Sequence, residues 1–451
     1  MSQKGTATEL GEQPIGKLLT QYAVPAIIAM TASSLYNMID SIFIGHGVGA
    51  MAISGLAITF PLMNLAAAFG SLVGVGASTL VSVKLGQKDY ATAQLILGNV
   101  VSLNVLIGIG FTILTLLFLD PILYFFGASE ATLPYARDYM IVILLGNVVT
   151  HMYLGLNSVL RAAGYPQKSM FATIMTVIIN TILAPIFIFV FHWGIQGVAM
   201  ATVLAQIIAL TWQIKLFCRK NELLRLKKGI YRLRSHLVQN IIGIGLAPFF
   251  MNIAACMIVI LINKGLKLYD GDLAIGAFGI VNRISFLFVM IVMGLNQGMQ
   301  PIAGYNYGAR QYQRVNQVMK ITVIAATIVT TTGFLVGELI PELVAKAFTT
   351  DQTLIDLSAR GLRIVMMFFP IIGFQMVTSN FFQSIGMAKK AIILSLSRQV
   401  VILIPLLLIL PLFWGVDGIW FSMPISDLAA SVIAAFMLYN QFKKFKLQAV
   451  S

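Results

Sequence analysis

The chain has 451 residues, of which 58% are hydrophobic and 10% charged, with a formal net charge of +14 and a mean hydropathy of +0.89. A soluble domain carries about 25% charged residues, so this composition excludes one. At roughly 20 apolar residues per crossing, the length supplies ten or more membrane spans. Cys218 and Cys256 stand far apart and make neither a disulfide framework nor a metal cluster.

Residues 1–17 are polar and include Lys4, Glu9, Glu12 and Lys17, with no small-residue cleavage site after an early apolar core. The first apolar stretch is therefore read as an uncleaved spanning helix. Apolar segments fall near 18–45, 52–82, 92–120, 134–161, 168–192 and 195–217, then near 237–264, 273–304, 315–341, 355–384, 390–412 and 416–440. Ten-residue alternating segments, the mark of a β-barrel, are missing. The expectation is an all-α membrane protein with twelve transmembrane helices.

The charges sort by side. With a cytoplasmic N-terminus, 23 of the 30 Lys and Arg residues fall on inner loops and tails, and Arg137, Lys264, Lys267, Lys346, Arg360 and Arg363 fall outside. Basic loops resist translocation, so both termini are expected in the cytoplasm. Residues 215–234 hold eight basic residues and one acid. That segment reads as a cytoplasmic linker resting against anionic headgroups, so the net charge reports orientation and no nucleic-acid partner is expected.

The chain also repeats itself. GQKDY at 86 answers GARQY at 308 (308 − 86 = 222), and FGASEAT at 126 answers FTTDQTL at 348 (348 − 126 = 222). RAAGYPQK at 161 answers QSIGMAKK at 383, and WGIQG at 193 answers WGVDG at 414. Six helices per copy is an even number, so the repeat is parallel, giving two six-helix bundles around a central cleft. The segments are a cytoplasmic tail (1–17), an N-lobe (18–217), a basic linker (218–236), a C-lobe (237–440) and a second tail (441–451). Transport follows from this organisation; a non-transporting scaffold or receptor is the alternative.

Three charges fall inside apolar stretches: Asp40, Asp427 and Arg283. A charge at bilayer depth costs about 2.5–3.5 kcal/mol on insertion scales, which makes each a candidate site. Tyr36 and Asn37 precede Asp40 by four and three residues and share its helical face. A carboxylate there suits a proton or a cation, and Asn157, Asn180 and Thr202 offer oxygens to complete a hard-cation site. Arg283 needs a partner, with Asp40, Asp427 or backbone carbonyls as options. Asp427 and Asn157 are candidates for lining the cleft, or for holding helices together. Gly70 with Gly74, and Gly294 with Gly298, read as close-packing pairs. GxxxxGK[ST], HExxH and GxSxG motifs do not occur and the four histidines show no ligand spacing, so an enzyme or an ATP-driven motor is not expected.

LYNMIDSIFIG, GAMAISGLAITFPL, GVGASTLVSVKLGQKDYATAQ and LNSVLRAAGYPQKSMFATIMTVIIN together resemble the MATE (multidrug and toxic compound extrusion) transporters, in particular the DinF-like branch, over essentially the whole chain. The resemblance implies monomeric exporters of small, cationic, amphipathic drugs, driven by H⁺ or Na⁺ without another cofactor, in the bacterial cytoplasmic (inner) membrane. It implies coupling through Asp40, with Tyr36, Asn180 and Thr202 as polar neighbours, Pro25 as a bending point and Arg283 as a proposed partner of the acid. One departure is Ala184, where many relatives carry an acid in N-x-x-x-D-P and this chain reads NTILAP. The loss of that carboxylate favours H⁺ over Na⁺, although a Na⁺ site at Asp40, Asn180 and Thr202 remains an alternative. A lipid-linked saccharide flippase of the same superfamily is the other transport reading.

Overall fold

The computed structural model describes residues 5–219 and 222–448. The helices in chain order are α1 (Gly5–Glu12), α2 (Ile15–Gly47), α3 (Ala50–Gly86), α4 (Tyr90–Leu117), α5 (Leu119–Phe125), α6 (Leu133–Leu145), α7 (Asn147–Ala162), α8 (Pro166–Pro185) and α9 (Gly194–Phe217). They continue as α10 (Ser235–Asp270), α11 (Asp272–Gly308), α12 (Tyr312–Leu339), α13 (Pro341–Lys346), α14 (Gln352–Met366), α15 (Phe369–Ser384), α16 (Ala388–Leu396), α17 (Ile404–Trp414) and α18 (Val416–Gln448). Among the described residues there is no strand.

Among the described residues ten helical segments are long and apolar enough to cross a membrane, and two bent pairs bring the number to twelve. Each pair occupies one expected segment: α6 and α7 meet at 55°, α14 and α15 at 53°. The first bend falls at Gly146, whose missing side chain gives Val203 its space. The second falls just before Pro370, which has no N–H to donate. Two spans also relax into π-helix: Ile186–Val190 directly after Pro185, and Ser397–Leu403 directly before Pro405. In both, a proline that takes a donor from the ladder stands at the edge of the widened turn.

The repeat extends to the backbone. Positive φ occurs at Gly49 and Gly271, Lys88 and Arg310, Gly164 and Gly386, and Gly194 and Gly415, pairs separated by 221 or 222 residues. Lys88 and Arg310 adopt it without being glycine, at φ 61° and 57°. Each turns the chain immediately before a helix, and Asp89 caps α4 by accepting from Thr92 N at 3.1 Å.

The chain divides into two compact units whose limits differ from the 18–217 and 237–440 boundaries. One holds α1 and Ile28–Phe249; the other holds Pro14–Ile27 and the chain from Phe250 on. The starting half of α2 therefore belongs with the second copy, and that of α10 with the first. Glycine explains both exchanges. A Cβ on Gly298 of α11 would lie 2.6 Å from Ala23 Cα, and one on Gly294 would lie 2.8 Å from Ile27 Cα. In the first unit, Gly76 of α3 and Gly245 of α10 meet the Ile241 and Leu72 carbonyls directly. The offsets match (298 − 76 = 222 and 245 − 23 = 222), so one small-residue crossing is used twice. Gly74 packs on α7, where Gly155 Cα is 3.5 Å from the site of its missing Cβ.

Leu62, Leu123, Tyr139, Met140, Leu144 and Val198 make up much of the first unit's main core. Leu266, Phe278, Val281, Leu362, Met366 and Trp420 do so in the second. Residues 222–236 of the basic linker form a strap lying along α4. Gln94 pairs with both backbone groups of Arg225, Asn99 accepts from Arg234 N at 3.0 Å and donates to Arg232 O at 3.3 Å, and Ser102 donates to Tyr231 O at 2.6 Å. The strap's own Leu224 and Ile230 are buried, and Glu222, its single acid, takes Lys168 at 3.1 Å. Arg225, Lys227, Lys228, Arg232 and Arg234 are left exposed.

Candidate functional site

The carboxylate of Asp40 lies in the first unit, on the last three turns of α2, with 6% of its surface exposed. Its Oδ1 accepts from Asn180 Nδ2 at 2.8 Å. Asn180 is fully buried on α8, and its Oδ1 accepts from Thr202 Oγ1 of α9 at 3.3 Å. Tyr36, one turn before Asp40 on α2, places its hydroxyl 3.1 Å from Thr202 Oγ1 and also interacts with the Asp40 carboxylate. A threonine hydroxyl has one proton. Thr202 gives that proton to Asn180 Oδ1 or to the Val198 carbonyl at 3.1 Å, and Tyr36, with one proton of its own, gives it to Thr202 or to the Asp40 carboxylate. Tyr139 of α6, 3% exposed, is close enough to feel the charge.

Three helices are needed for this arrangement because no single helix can surround a carboxylate. Sequence periodicity puts Tyr36 beside Asp40, but only the packing of α8 on α9 brings Asn180 and Thr202 together. Ala184, one turn beyond Asn180, is fully buried with Phe187 and Ala201, and Phe43 packs against them. An apolar cluster thus fills the place of the missing second acid.

The other sequence candidates are distributed. Asn157 is buried between helices, donating to Thr173 Oγ1 at 3.2 Å and accepting from Gln213 Nε2 at 3.3 Å. Pro25 lies inside an unbroken α2, in the part belonging to the second unit. Arg283 is an exposed side chain on α11. The side chain of Asn37 lies outside the described residues.

Asp427 of α18 has a partner that sequence reasoning misses. Arg398 donates from Nε to Asp427 Oδ1 at 2.7 Å, within the second unit. Arg283 is therefore not the single base within the spans. Arg398 lies eight residues inside the 390–412 segment yet is counted among the 23 inner bases with Lys389 and Lys390; its place in the span leaves 22 there. The available signal is its apolar setting, SLSRQVVIL, and the rule that a charge at depth demands a partner. Among the described residues no cluster of three or more His, Cys, Asp or Glu could hold a metal ion.

The MatE family profile matches the chain twice, over residues 25–186 and 246–409, one match per structural copy. The multidrug export protein MepA of Staphylococcus haemolyticus is 28% identical over 95% of this chain and 94% of its own length. The structure of the MATE multidrug transporter DinF-BH superposes with a TM-score of 0.90 at 33% identity, covering 97% of this chain and 98% of that one. A MATE structure in the bent conformation, at 21% identity and full coverage of both chains, superposes at 0.93 and supports the twelve-helix, two-lobe fold. With both copies matched and the full length aligned, the chain belongs to the MATE family of multidrug efflux transporters.

Proposed function

We propose that this protein is a proton-coupled antiporter that exports small, cationic, amphipathic compounds by alternating access, with Asp40 as the coupling group. The observation that carries the reading is the buried Asp40–Asn180–Thr202–Tyr36 network, which isolates a single carboxylate among neutral hydrogen-bonding groups. Such a group changes the local charge by one unit when it takes a proton, and its neighbours need only rotate hydroxyls to follow. The same network argues against Na⁺. A hard cation requires several oxygens turned toward one point, whereas Asn180 presents its N–H to Asp40 and spends its oxygen on Thr202. Ala184 removes the remaining carboxylate.

In this cycle the substrate cation and the proton compete for the negative charge. Protonation from outside removes the attraction for the cation and weakens the charge-assisted bond from Asn180. α2 then has one fewer tether to α8, and its swing at Pro25 releases the substrate outward. The protein works as a monomer in the bacterial cytoplasmic membrane, with both termini and the basic strap inside. Exposed Cys218 reports the side: an impermeant maleimide should label it in inside-out vesicles and not in intact cells.

Proteoliposomes carrying an imposed pH or Na⁺ gradient and a fluorescent organic cation test the coupling. A pH gradient is expected to drive uptake in the wild type, and Asp40→Asn to abolish that dependence. Full pH-driven transport by Asp40→Asn overturns the reading. Drive by Na⁺ alone would favour the Na⁺ alternative, and transport of lipid-linked sugars in place of cations would favour the flippase.

A further inference from the structure

Next to the Asp40 network, the first unit buries a second polar group that the proposed cycle does not use. His151 of α7 is fully buried, and its Nε2 bonds the Ala66 carbonyl of α3 at 3.0 Å. A carbonyl only accepts, so Nε2 carries the proton and Nδ1 is an acceptor. Among the described residues His151 Nδ1 has no partner, and neither does Asn147 Nδ2, a donor one turn earlier on the same face. The two orphans complement each other: one donor and one acceptor, one turn apart on α7, of the kind that buried water joins. Asn104 of α4, buried with both amide atoms unpartnered, packs against Gly155 one turn beyond His151. Buried polar groups at bilayer depth require partners, and a buried water typically makes about three hydrogen bonds to such groups.

This cluster adjoins the coupling site. Thr150, the residue before His151, donates to Gln206 Oε1 of α9. Gln206 is one turn from Thr202 on α9, and Thr202 leads through Asn180 to Asp40. Two bonded groups, Thr150–Gln206 and Thr202–Asn180–Asp40, and the orphans Asn104, Asn147 and His151 thus lie within a turn of one another as a polar seam across α4, α7, α9, α8 and α2, all inside the first unit.

We propose that this seam is a water-bearing proton path, with water held between Asn147 and His151 and the imidazole serving as a relay to Asp40. A proton arriving through the water adds to Nδ1 and gives an imidazolium that keeps its Nε2–H on Ala66. The same water then takes the proton back from Nδ1 and hands it on toward Asp40, so that only O–H and N–H bonds form and break, charge is conserved and the imidazole ends neutral with its Nε2–H still on Ala66. Among the described residues no charged side chain acts on the imidazole. It meets the Ala66 carbonyl and Gly70 from α3, while α4 contributes Asn104 and α9 contributes Gln206 through Thr150. Lys84 of α3, Arg137 and Asp138 of α6, Lys168 of α8 and Lys215 of α9 stand near helix ends.

The relay rests on the proton-coupled reading above; the water does not, and separate measurements test them. X-ray radiolysis of the full chain in nanodiscs oxidises side chains beside bound water. His151 should be labelled despite its burial, and Asn147→Leu should lower that labelling at least fivefold. Labelling of His151 no higher in the wild type than in Asn147→Leu overturns the bound water. For the relay, His151→Phe should slow pH-driven transport at least tenfold while leaving equilibrium binding of the cation within twofold. An unchanged rate, or a rate and affinity that fall together, overturns it. If wild-type transport ignores the pH gradient, the coupling reading and the relay fall, and the radiolysis result still decides the water.

Discussion

The Arg398–Asp427 pair allows a quantitative test of how the second unit is held together. Asp427 exposes 6% of its side chain and Arg398 28%, with a 2.7 Å bond between them. Taking the charge centres to be about 4 Å apart, the attraction is about 4 kcal/mol at an effective dielectric constant of 20. Removing one partner of a buried pair costs about 3–5 kcal/mol. Arg398→Met leaves a buried, unpaired carboxylate and is expected to cost about 3 kcal/mol. Asp427→Leu leaves a partly exposed guanidinium that water reaches, for about 2 kcal/mol. The double variant leaves no orphan and should fall within about 1 kcal/mol of the wild type. The coupling is then about 4 kcal/mol, in line with the Coulomb figure. Tryptophan fluorescence during reversible denaturation of the purified chain measures all three. If the double variant loses the sum of the single losses, the pair contributes nothing and the reasoning fails.

Three further expectations follow from the packing and the caps. Gly245→Ala drives a Cβ into the Leu72 carbonyl and should cost about 1–3 kcal/mol, whereas Gly110→Ala, with nothing within 4 Å of the added Cβ, should stabilise α4 by about 0.5–1 kcal/mol; thermal melts compare them. Asn99→Leu removes both bonds that tie Arg232 and Arg234 to α4. At about 1 kcal/mol each, strap opening and tryptic cleavage at its basic residues should rise about 30-fold. The Asp89 carboxyl at the α3–α4 turn is held below the usual carboxylate range, first by its hydrogen bonds from Thr92 and then by Lys84. Its contribution is complete above the unfolded pKa of about 3.9 and is lost as pH falls through the lower folded value. Asp89→Ala should therefore cost about 1 kcal/mol at pH 7 and progressively less below about pH 4, as read by melting at both pH values.

Much of this molecule is legible in the order of its residues. Apolar segments longer than the bilayer is thick admit only helices, because lipid offers no partner to a backbone N–H. The twelve segments therefore reappear, with α10 and α18 running on to Asp270 and Gln448, beyond the expected 264 and 440. The 222-residue repeat appears again in the backbone turns at Lys88 and Arg310, and Asp40 declares itself by the cost of its charge.

Which groups face one another is a different matter. Asn180 and Thr202 lie 140 and 162 residues from Asp40 (180 − 40 and 202 − 40), so helical periodicity carries no information about their meeting. Arg398 escapes sequence reasoning because its nearness to a basic loop suggests solvent, whereas the π-turn that carries it packs beside α18. The linker is expected to rest against anionic headgroups, and nothing in its composition tells that the side-chain amides of Gln94 and Asn99 bind its backbone to α4. Local composition determines that a segment is a helix in a membrane, because solvation acts on each residue where it stands. Which neutral groups surround a buried charge, and which half of α2 or α10 joins which unit, is decided by packing between distant segments, and only the tertiary structure decides it.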